Sequence, residues 1–140
     1  MGMKYPQSFY ASMGSESCYL FCILDIAEEF NGVEFNDMDK LEMITESISR
    51  GYVYFNFSDY TDKDNFFVEH PCEILEMITG VKFRVSKERP DYIKKDGDYI
   101  IERWTYGNKA HFIRDGFNSL QSSSVVNNGK VESLRVFSAV

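Results

Sequence analysis

The chain has 140 residues, the size of one domain, with 44% apolar side chains, 16% aromatic ones and a formal charge of −7. That composition excludes a disordered chain, and no apolar run reaches the roughly 18 residues a membrane-spanning helix needs. The acidic balance argues against a general nucleic-acid binder, which is normally basic, and fits either a plain soluble surface or one that docks on a basic protein.

Met1 to Tyr10 shows neither the basic start nor the apolar stretch of a signal peptide, which points to a cytoplasmic protein. The three cysteines, an odd number without scaffold spacing, are then expected as free thiols. Pro6 and Gly14 break the first fourteen residues. Ser15 or Ser17 can cap a helix that runs to about Asn31. Its apolar residues Leu20, Phe21, Ile23, Leu24, Ala27 and Phe30 cover much of the circumference, so the helix is expected to be buried, with Asp25, Glu28 and Glu29 on its solvent side. Asn31-Gly32 supplies a left-handed stop.

Asn36 caps a second helix with Met38, Leu41, Ile44 and Ile48 at helical spacing, ended by Gly51. Tyr52 to Phe57 reads as a strand and Ser58 to Asn65 as an acidic loop. Pro71 fits the first turn of a short third helix containing Ile74, Leu75 and Ile78, with Gly80 after it.

From Val81 the period changes to two. Strands are expected at Val81 to Val85, Tyr99 to Trp104, Ala110 to Arg114, Phe117 to Leu120 and Val131 to Phe137. Turns fall at Lys95 to Asp98, at Asp115-Gly116 and at Asn128-Gly129. Helices first and an antiparallel sheet last make an α+β fold, one domain over residues 1–140, helical over about 15–80 and β over about 81–137.

The chemistry centres on Cys18. A thiol in the first turn of a helix feels the positive end of the dipole, which favours thiolate, although free cysteines often simply pack as small apolar groups. His111 lies in the apolar run Lys109-Ala110-His111-Phe112-Ile113. If Asp115-Gly116 forms a two-residue turn, His111, Ile113 and Asn118 share one face, with His111 and Asn118 diagonal neighbours about 7–8 Å apart at Cα. An Asn at that distance can accept from the imidazole N–H and set the tautomer that serves a thiol.

The string Ser15-Glu16-Ser17-Cys18-Tyr19-Leu20-Phe21-Cys22 resembles the nucleophile segment of papain-like cysteine peptidases, in which an aromatic residue, a spacer and Phe follow the Cys. The order Cys18, His111, Asn118 is similar to that family's order, and Phe117-Asn118-Ser119 looks like the site of the orienting residue in its compact bacterial and phage, bacteriocin-processing (C39-like) branch, with Asn in place of Asp. The resemblance implies a compact papain-like core and a hydrolase of peptide, isopeptide or related amide bonds. Cys18 would be the nucleophile, His111 the base and Asn118 the orienting residue; Gln7, with the Cys18 N–H, would stabilise the oxyanion.

Other chemistry is less well supplied. Cys18 and Cys22 with His70 or His111 lack a fourth zinc ligand, so neither metal nor cofactor is expected. His70, between Glu69 and Pro71, reads as a solvated residue at the start of the third helix, and Cys72 as a core residue of that helix. Trp104, Tyr106 and Gly107 either line a groove beside the His strand or simply pack. The acidic stretches 36–46 and 58–69 read as solvated faces. The alternative is a non-catalytic acidic module that mimics nucleic-acid phosphate and blocks a basic protein partner, as small phage or mobile-element inhibitors of bacterial defence do.

Overall fold

The computed structural model describes residues 17–55, 66–114 and 128–140. Among the described residues, three helices precede the main sheet, as the change of hydrophobic period predicts. Helix α1 spans Ser17–Asn31, and every residue from Cys18 to Leu24 is buried. The acidic residues Asp25, Glu28 and Glu29 are partly or fully exposed, as the spacing requires. Helix α2, Asp37–Ser49, begins with a full capping box: the Asn36 side chain accepts from the Asp39 N–H, and the Asp39 carboxylate accepts from the Asn36 N–H. Helix α3, Pro71–Thr79, starts on Pro71 and stops at Gly80, whose φ of 76° is left-handed and favours a residue without Cβ.

Two short strands stand apart from the main sheet. β1 (Val53–Phe55) pairs antiparallel with β2 (Phe66–Val68), Val53 opposite Val68. β2 was not expected from sequence, because three apolar residues before His-Pro carry no readable alternation. The acidic loop expected at Ser58 to Asn65 lies outside the described residues.

The main sheet contains β3 (Phe83–Glu88), β4 (Tyr99–Tyr106), β5 (Lys109–Ile113) and β6 (Lys130–Ala139), all antiparallel, in the order β3-β6-β4-β5. β4 and β5 form a hairpin closed by Gly107-Asn108, with Tyr106 opposite Lys109. That turn, whose Gly107 the sequence left as either groove lining or packing, places His111 opposite Trp104. β6 pairs with both β3 and β4 and carries a register shift opposite Arg103 and Trp104. Phe117 to Leu120 and the Asp115-Gly116 turn lie outside the described residues.

The core sits between α1, α3 and one face of the sheet. Leu20, Ile23, Leu24 and Ile26 of α1 meet Ile74 and Leu75 of α3 and Ile101 and Phe137 of the sheet, all buried. At roughly 1.5–3 kcal/mol for each large apolar side chain buried, this cluster is the main favourable term in folding. Aromatic edges extend it, with Phe30 against Phe83 at 5.2 Å and Phe83 against Tyr99 at 6.3 Å. No described helix is long and apolar enough to cross a membrane.

Candidate functional site

Cys18, Cys22, Asp25 and Glu29 follow the spacing i, i+4, i+7, i+11, which puts all four along one stripe of α1. That stripe lies against β5. The Phe112 N–H donates to Cys18 Sγ at 3.4 Å, and the Cys22 thiol donates to the Phe112 carbonyl at 3.6 Å. Two thiols one helical turn apart thus satisfy both backbone groups of a single strand residue. Farther along, the Arg114 guanidinium bonds Asp25 and Glu29, each at 2.5 Å, and its carbon lies 5.7 Å from the Tyr99 ring centre. Stacking of Tyr19 on Phe112, 4.5 Å between ring centres, closes the contact from one side of the strand.

This arrangement sets Cys18 against the backbone of the strand that carries His111. Cys18 occupies the first turn of α1, and its sulfur touches the residue next to His111. Cys18 is 1% exposed and His111 5%. Side chains alternate along β5, so Phe112 faces Tyr19 while His111 and Ile113 share the opposite face. A two-residue turn at Asp115-Gly116 would put Asn118 on that face with His111, and the family resemblance implies Gln7 as an oxyanion donor; both residues lie outside the described residues.

The remaining titratable groups are set by their surroundings. Burial, aided by the charges of Cys18 and Asp25, pushes the Cys22 thiol far above its ordinary value, with Arg114 opposing weakly. Burial also pushes the Cys72 thiol up to about 11, with Glu73 adding to the effect. Cys72 is only half-buried, packed against the edge of the core. Burial works against the charge of Arg114, but hydrogen bonds and charges from Glu29 and Asp25 outweigh it and hold the guanidinium above its ordinary value. His70 stands at the start of α3, half-exposed, with Nδ1 3.3 Å from Glu73. No cluster of three potential metal ligands occurs among the described residues.

The family model described as "Protein of unknown function, DUF261" matches residues 5–139. The chain belongs to that family. No curated protein and no solved structure matches the chain. The DUF261 match takes in every element that builds the contact between α1 and β5.

Sequence reasoning about this DUF261 chain missed Arg114 as part of the contact. A signal existed: Asp25 and Glu29 are four residues apart on a largely apolar helix, which makes a ready two-carboxylate clamp for a cation. Which cation fills it depends on the strand that arrives beside α1, and helical periodicity carries no information about that.

Proposed function

We propose that this protein is a papain-like cysteine hydrolase acting on a peptide, isopeptide or related amide bond. The observation that carries the reading is the 3.4 Å approach of the Phe112 N–H to Cys18 Sγ, which sets the first turn of α1 against the strand bearing His111. Cys18 Sγ attacks the carbonyl carbon while His111 takes the thiol proton and delivers it to the leaving nitrogen. The C–N bond breaks and an acyl thioester forms. Water, deprotonated by His111, then breaks the C–S bond, releasing the acid and restoring the thiol. Asn118 orients the imidazole, and Gln7 with the Cys18 N–H holds the oxyanion.

A second reading, a non-catalytic protein-binding module, is favoured by burial. Cys18 is 1% exposed and its sulfur already accepts a backbone hydrogen bond. The two readings separate on thiol reactivity. Under the hydrolase reading, iodoacetamide labels Cys18 with a midpoint well below the ordinary thiol value of about 8.5, and His111→Ala removes that low-pH reactivity. Cys22 and Cys72, both raised, serve as internal references in the same digest. If mass spectrometry finds Cys18 labelled no faster than those two, the hydrolase reading is wrong.

A further inference from the structure

Between α2 and α3 runs an open groove of about 410 Å³. Its floor is apolar: Phe35, Met43, Met77 and Ile78. Phe35, Met43 and Ile78 pack on the core from above, so the floor is anchored. The two methionines are unbranched and adapt to whatever apolar surface arrives. Among the described residues, every charged side chain that lines the groove is a carboxylate: Asp39, Glu42 and Glu46. Asp39 is engaged in the cap of α2, and Glu46 is bonded to Arg50 at 2.8 Å. Glu42 is exposed and makes no ion pair among the described residues.

We propose that this groove binds a basic amphipathic helix of a partner protein. Apolar side chains at helical spacing would seat on Phe35, Met43, Met77 and Ile78, and flanking lysines or arginines would face Asp39, Glu42 and Glu46. The carboxylate rim repels nucleic-acid phosphate and anionic lipid alike, which leaves a cationic polypeptide as the complementary occupant. The surface stands apart from the cysteine chemistry. Asn31, at its margin, lies thirteen residues along α1 from Cys18, about 20 Å at 1.5 Å per residue. It therefore holds whether or not Cys18 is a nucleophile.

The test uses a fluorescein-labelled synthetic Leu/Lys peptide of about 18 residues, amphipathic as a helix of five turns. Its binding is followed by anisotropy and by the methyl resonances of 13C-methyl methionine in the protein. Met43 and Met77 are expected to shift on binding, while Met38, exposed on α2 outside the groove, stays in place. Glu42→Lys with Glu46→Lys should weaken binding about tenfold or more, through lost attraction at the rim. Asp91→Lys with Asp96→Lys, the same charge change on an exposed loop, should alter it less than about twofold. Met77→Ser, at a position outside the packed core, should also weaken it, and Cys18→Ser should leave it unchanged. The proposal is overturned if the peptide does not bind, if the Met43 and Met77 methyls do not move, if both charge reversals weaken binding equally, or if a scrambled peptide of the same composition binds as well.

Discussion

Phe112 is served by two side chains from one helix face, and that arrangement assigns different duties to two chemically identical groups. Cys18 accepts and Cys22 donates, so Cys22 must keep its proton for the contact to persist. Its raised value has a consequence for stability. Below about pH 8.5 the Cys22 thiol is protonated in both folded and unfolded chains, and its contribution is fully present. Above that pH the unfolded chain ionises while the folded one resists, so stability falls as pH rises toward the folded value. Cys22→Ala is expected to cost about 1–2 kcal/mol at pH 7, from the lost hydrogen bond and the small void. Urea unfolding at pH 7 and pH 10 checks both parts: the deficit of the variant should narrow at the higher pH. A constant deficit would mean that Cys22 does not resist ionisation in the fold.

At the scale of the element, helix ends carry much of the local specification. α2 is short and only Ile44 and Ser47 of it are buried, so packing alone holds it weakly. The capping box at Asn36 and Asp39 is therefore a substantial share of its stability. Asn36→Ala is expected to cost about 1 kcal/mol by loss of the cap, with hydrogen exchange accelerated in the first turn of α2 and little changed in α1. Equal acceleration in both helices would show that α2 opens only with the whole molecule. The loop before β4 is tied by side chains in a similar way. The Tyr92 hydroxyl and the Lys95 N–H both donate to the Asp98 carboxylate, at 2.7 and 2.9 Å. Desolvation opposes ionisation of Asp98, but those hydrogen bonds and the charges of Lys95 and Lys94 hold its carboxyl below the ordinary value. The restraint on the loop is thus present above the unfolded carboxyl value of about 3.9 and is lost as pH falls through the lower folded value.

For the whole molecule, the decisive feature is that the last strand sits inside the sheet. β6 joins β3 to β4, and without it the β4–β5 hairpin has no link to β3. It also contributes Phe137, fully buried beneath α1, and buried Leu134 and Val136. Deleting residues 130–140 is expected to abolish cooperative unfolding altogether, because β3 and β4 each lose a ladder partner and the core loses its floor. A thermal melt followed by near-ultraviolet circular dichroism reads the result. A truncated chain with a sharp transition would show that α1, α3 and the hairpin fold as a unit by themselves. The same topology explains how a helix near one end of the chain and a strand some ninety residues later come into contact. α1 and α3 cover one sheet face, and the hairpin turn at Gly107-Asn108 leaves β5 alongside the cysteine stripe.

Local patterns in the chain determined a good deal unaided. The 3.6-residue period of Leu20 to Phe30 and its change to alternation after Val81 specified three helices followed by a sheet. Asn36, Pro71 and Gly80 marked helix ends, because caps act through hydrogen bonds and backbone angles within a few residues. The placements of Cys18 in the first turn of α1 and of His111 in an apolar strand were also legible. Other features depended on tertiary structure, because they join residues distant in sequence. Nothing near β6 indicates that it lies between β3 and β4, since strand order is chosen by which faces must be buried together. Nothing near Asp25 and Glu29 names Arg114 as their partner, and nothing near Cys18 or Cys22 says that both meet the backbone of Phe112. Periodicity records which side of an element is buried; only packing decides what it is buried against.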